Sequence, residues 1–146
     1  MTLENLLAIH KLIAFTATKS GIQKLLKAAE RNLKDAELIV LSPDNRFDAA
    51  YKAIMQCSMI GLWANGYRTS TSQPGHHYTA IQVLPKTMNV SKEDVIILDA
   101  LRKQRNLNDY EGDPISESSL LACIEAANKL FEHTVEWLKK YHSELV

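Results

Sequence analysis

The sequence predicts an all-α fold, an antiparallel up-and-down bundle of four to five core helices plus an N-terminal helix. Three observations point there. Strand-like alternation is nearly absent, whereas apolar residues recur at helical spacing along several long segments. The last segment carries Leu120, Ile124, Ala127, Phe131, Thr134, Leu138 and Tyr141, whose separations of four and three suit a helix packed lengthwise against antiparallel neighbours. No internal repeat, low-complexity tract or linker divides the 146 residues, and 46% apolar content supports one continuous core, so a single domain over 1–146 is expected.

Each element has its own signal. Thr2 is a candidate N-cap for a first helix expected from Leu3 to Thr18, ending near Ser20-Gly21. The second helix places Ile22, Leu25, Leu26, Ala29, Leu33, Ala36 and Val40 on one face, with Lys24, Lys27, Arg31, Lys34 and Asp35 largely away from it. Leu41-Ser42-Pro43-Asp44-Asn45 breaks the chain. Ala49, Ala50, Ala53, Ile54, Cys57, Met59, Ile60 and Leu62 then form a helix apolar over most of its circumference, which belongs mid-bundle, with small alanines that admit close neighbours. Asn65-Gly66 ends it, and GYRTSTSQPG reads as a surface loop. A short helix over His76 to Met88 meets Pro85, which marks an end or kink. Ser91 opens the next helix, with Glu93 and Asp94 at its positive end, and Glu111-Gly112-Asp113-Pro114 closes it. The final helix starts near Ser116.

Seventeen basic residues balance seventeen acidic ones, so no global field draws the protein to nucleic acid or membrane, and phosphate binding must come from a local cluster. Cys57 and Cys123 stand alone among helix-like neighbours and read as reduced core residues, which fits a cytoplasmic setting. The segment LLAIHKLIAF is preceded by Glu4 and broken by His10 and Lys11, so it does not read as a signal peptide. No apolar run approaches the roughly 20 residues of a membrane span. A glycine-rich phosphate loop, a nucleophile elbow and a zinc motif are all absent, which argues against an ordinary kinase, hydrolase or metalloprotease.

The chemistry concentrates in Leu101 to Gly112, LRKQRNLNDYEG. There the apolar stripe of Val95, Leu98 and Leu101 continues into Arg102, Arg105 and Asp109. Unpaired burial of such charges costs several kcal/mol, so they must pair internally, face a subunit boundary or line a cleft that receives an anion. Arg105 and Asp109, four apart, suit an ion pair that fixes helix register or a dimer interface. Charges in line with an apolar stripe are easier to place at a two-fold interface than in a monomer core, so a homodimer is expected. His76 and His77 diverge by about 100° on a helix and make a poor chelating pair. A surface or capping role fits them; one could also lie across a bundle cleft from Arg105 and act as a base. His10, His133 and His142 read as helix-surface or end residues, and Trp63 with Tyr67, like Trp137 with Tyr141, as packing pairs.

The succession of an amphipathic helix, the small-residue helix AAYKAIMQCSMIGLWANGYR, a polar loop with GHHY, a helix ending LRKQRNLNDYEG and a long last helix resembles the HEPN superfamily (higher eukaryotes and prokaryotes nucleotide-binding) over roughly residues 20 to 142; residues 1–19 lie outside it. The resemblance implies a four- or five-helix bundle, commonly dimeric, that acts on or binds RNA or nucleotide. Many members are metal-independent ribonucleases, often toxins paired with a nucleotidyltransferase antitoxin, and carry an Arg, a polar residue such as Asn, and a His four to six residues after the Arg. Arg105-Asn106 matches the first two positions and puts Tyr110 at the third; a register starting at Arg102 puts Asn108 there, and neither supplies a histidine. The site so implied has Arg105 and Tyr110 as catalytic candidates and Arg102, Asn106, Asn108 and Asp109 as ligand-binding ones, with no metal or cofactor. Arginine suits phosphate through parallel hydrogen bonds, and a tyrosine with an ordinary pKa of about 10 suits proton donation better than proton abstraction. The alternative is a non-catalytic helical dimer serving as partner or substrate-binding subunit of a nucleotidyltransferase; a purely structural interaction module is the third reading.

Overall fold

The computed structural model describes residues 1–146. It holds seven α-helices, α1 (Leu3–Ala8), α2 (Lys19–Ala36), α3 (Pro43–Ala64), α4 (His76–Gln82), α5 (Leu84–Thr87), α6 (Lys92–Glu111) and α7 (Glu117–Tyr141), and a small antiparallel sheet of β1 (Leu12–Ala14) and β2 (Tyr67–Thr69). The protein is an all-α bundle, and no helix is long and apolar enough to cross a membrane.

Five helices begin with the same device. Thr2, Thr18, Ser42, Ser91 and Ser116 each adopt extended backbone and accept a hydrogen bond from the amide three residues on, which satisfies a donor the helix leaves free. Pro43 stands in the first turn of α3, where its missing N–H costs nothing. Gly112 closes α6 at φ 75°, and its amide and that of Asp113 return to the carbonyls of Asn108 and Leu107.

Helix α3 runs through the middle. Phe47, Ala50, Ala53, Ile54, Cys57, Ile60, Gly61 and Leu62 are buried, so most of its circumference meets protein, chiefly α2 and α7. Its small residues set the spacing: a Cβ on Gly61 would lie 3.0 Å from both Met88 Cγ and Thr87 Oγ1. Asn65 ties the same junction by donating to the carbonyls of Gly61 at 2.7 Å and Thr87 at 3.0 Å. Cys57 and Cys123 are free and buried, and burial pushes both thiols up to about 12.

Four expectations need correcting. The first helix stops at Ala8, not Thr18, because His10 takes a left-handed conformation (φ 63°) and the amides of His10 and Lys11 close back on Leu7 and Leu6. Leu12, Ile13 and Ala14 then pair with Thr69, Arg68 and Tyr67, so the start of the expected surface loop is a strand instead, and Thr18 caps α2. Val40 lies outside the core and is 87% exposed, because α2 ends at Ala36, whose carbonyl accepts from Arg46 Nε at 2.7 Å. Tyr141, at the end of the α7 stripe, is likewise exposed. Pro85 does mark a boundary: it opens α5 after α4 has ended.

Candidate functional site

Along α6, Val95, Leu98 and Leu101 are buried, and the same face goes on to the half-buried Arg102 and Arg105. Both guanidiniums find carboxylates on their own helix. Arg102 Nε donates to Asp99 Oδ1 at 2.8 Å, while Lys103 approaches the other oxygen at 3.6 Å. Arg105 Nε lies 2.9 Å from Asp109 Oδ2 but is not aimed along its N–H, so this buried nitrogen has coulombic support and no hydrogen-bond partner. Arg105 Nη1 reaches Asn106 Oδ1 at 3.4 Å, a long contact.

Two other helices complete the cluster. Arg105 Cζ stands 5.5 Å from the ring centre of Tyr51 on α3, and Arg102 Cζ stands 5.2 Å from that of Tyr78 on α4, both within cation–π range. The Tyr51 hydroxyl lies 3.2 Å from His77 Nδ1, and the rings of His76 and His77 meet edge-on at 4.8 Å. Tyr51 is buried, and desolvation pushes its hydroxyl up to about 12 against the opposing pull of Arg105 and Arg102. His77 is pushed down from 6.5 to about 4, first by burial and then by His76, Arg105 and Arg102, so at neutral pH its imidazole is uncharged.

Arg102, Arg105, Asn106 and Asp109 are thus neighbours, as the sequence implies. Asn108 and Tyr110 make no hydrogen bond or ring contact with Arg102 or Arg105. Asn108 Nδ2 donates to Asp44 Oδ2 at 3.0 Å and to the Asp113 carbonyl at 2.8 Å, and Asp44 Oδ1 accepts from the Ile115 amide at 3.1 Å. Its side chain therefore fastens the α6–α7 turn to the start of α3. Tyr110 follows Arg105 by five residues, about 140° around the helix, and is 76% exposed. Beside the arginines stand Tyr51 and Tyr78, with His77 against Tyr51. Tyr51 carried a faint signal in the sequence: a buried tyrosine needs a partner for its hydroxyl, and α3 itself offers little that is polar on that face.

No three His, Cys, Asp or Glu side chains converge as metal ligands. A concavity of about 440 Å³ lies elsewhere, between α6 and α7, lined by Val90, Ile97, Leu98, Ala126, Leu130 and His133 among others. The His133 ring is engaged, with Nε2 2.6 Å from the Met88 carbonyl. No protein-family model and no curated protein matches this sequence.

Proposed function

We propose that this protein is HEPN-like and binds RNA or nucleotide through a phosphate group held by Arg102 and Arg105. The observation that carries this is the half-buried arginine pair standing on the rings of Tyr51 and Tyr78. A helix-register device would need the Arg105–Asp109 pair alone. It would not need two cations gathered with His76 and His77 from another helix. A phosphate at this face would take charge-assisted hydrogen bonds from the guanidinium nitrogens that Asp99 and Asp109 do not occupy. The proposal extends to a metal-independent ribonuclease, to a toxin–antitoxin or defence component with a nucleotidyltransferase partner, and to a homodimer, for which the exposed Ile96, Ile97 and Leu121 beside the α6–α7 groove offer an apolar face.

The test is titration of single-stranded RNA and of a nucleoside triphosphate into wild type and Arg105→Ala. Binding should weaken by about 1.5–3 kcal/mol, one charge-assisted phosphate contact, with little change in melting temperature. The structural reading rests on the 2.9 Å approach of Arg105 to Asp109 and expects the reverse: a destabilised variant that binds as wild type does. That result would end the proposal.

A further inference from the structure

We propose that the groove between the beginning of α6 and the middle of α7 binds a small cationic amphiphile, an ammonium group on an apolar body. Arg102 and Arg105 lie farther along α6, so this ligand is independent of the RNA reading. The groove encloses about 440 Å³, within the roughly 300–1,000 Å³ of small-molecule sites. Leu98 and Leu130 in its wall are buried, whereas Ile97 keeps 49% of its surface exposed. A hydrocarbon placed here leaves water and covers Ile97, which favours burial from both sides.

The polar groups of the groove select the other half of the ligand. Asp94 Oδ1 takes the Lys129 ammonium at 3.0 Å, across from α7 to α6, and Oδ2 stays open. Glu125 also lines the groove and stands in no ion pair. His133 Nε2 lies 2.6 Å from the Met88 carbonyl, which can only accept, so this nitrogen carries the proton and a neutral ring has Nδ1 as an acceptor. Asp94 and Lys129 cancel, and Glu125 leaves one net negative charge among groups that mostly accept. A ligand that brings positive charge and N–H donors complements them, and a carboxylate or phosphate does not.

Lys129 already shows the fit, since the chain's own alkylammonium sits on Asp94. Its side chain is 68% exposed, and an exposed ion pair of this kind is a weak tie that a competing ammonium displaces at little cost. The incoming cation then has Asp94 and Glu125 together, one from each helix, while its apolar body lies against Ile97, Leu98, Ala126 and Leu130.

The experiment titrates octylammonium chloride, sodium octanoate and 1-octanol into the full chain by calorimetry, with light scattering on the same samples. Octylammonium should bind once per chain, and octanoate about tenfold more weakly or worse. Glu125→Gln, at an exposed position, should weaken octylammonium on the order of five- to tenfold and leave octanol unchanged. Lys129→Met should strengthen octylammonium severalfold by freeing Asp94 Oδ1. Ala126→Phe should fill the groove and block all three probes with the helical circular dichroism intact, and Arg105→Ala should change none of them. Octanoate that binds as tightly as octylammonium, or Glu125→Gln that binds octylammonium as wild type does, overturns the proposal. So does a wild type that takes up none of the three, whether as a monomer or as a dimer whose second copy fills the groove.

Discussion

Acidification should destabilise this protein through His77, and the amount follows from its surroundings. In the fold the imidazole is pushed from 6.5 to about 4. Between those values the unfolded chain binds a proton that the folded chain refuses, so stability rises with pH across this window. The contribution is complete above 6.5, is lost as the pH falls, and is gone below 4. A shift of that size has a ceiling of roughly 3.4 kcal/mol at 1.36 kcal/mol per pKa unit. His77 is only half-buried, and solvent screening brings the expected loss between pH 7 and pH 4 to about 1–2 kcal/mol. Urea unfolding of wild type and His77→Gln at pH 7, 6, 5 and 4 isolates it, because every other titrating group is common to both proteins. The curve for His77→Gln should be flatter by that amount. Equal slopes for the two proteins would show that the imidazole titrates freely, and that neither the burial nor the nearby arginines act on it as described.

Three further outcomes follow from particular contacts. Gly61→Ala should lower stability by about 1–2 kcal/mol in thermal melts, because the new methyl meets Met88 and Thr87 at 3.0 Å and the gain in helix propensity offsets only part of the strain. Asn108→Ala should cost about 1–2 kcal/mol by freeing the Asp44 tether and leave RNA titrations unchanged; weaker RNA binding at full stability would return Asn108 to the site. Tyr110→Phe should leave RNA binding and cleavage as they are, with light scattering at tens of micromolar giving a dimeric mass; a loss of activity in a dimeric variant would bring Tyr110 into the site of the neighbouring copy.

What was legible in the sequence is what depends on nearby residues. Thr2, Ser91 and Ser116 cap their helices, and Gly112 and Pro85 end or open theirs, because each acts within one turn of itself. The β1–β2 pairing was hidden, since Leu12 and Thr69 are joined only by the way the chain returns. Val40 kept helical phase with Ala36, and phase alone cannot say that Arg46 has already closed the helix. The site divides along the same line. Arg102 and Arg105 stood out because charge interrupts an apolar stripe on one helix. Tyr51 was concealed because a tyrosine in a buried helix reads as packing, and His77 stayed one alternative among several because its distance from Arg105 is a property of three helices together. The motif spacing that points to Tyr110 measures separation along the chain, and rotation about the helix sets Tyr110 about 140° from Arg105 and one turn on from Asn106.

The short helix that carries His77 is held at its far end. It enters from Gly75, in a left-handed turn with no side-chain cap, and leaves at Val83, which is buried in the core with Leu84. Ala80 and Ile81 fix its direction with them, packed almost without exposure. Ile81 lies one turn below His77 on the same side of the helix, so α4 works as a lever with its foot in the interior and an imidazole at its tip. Trimming that foot would swing the ring relative to the Tyr51 hydroxyl without touching any group a ligand meets. The tuning of this cluster is therefore shared with the packing of the bundle, and a change of one methylene deep in the protein can be felt at its surface as chemistry.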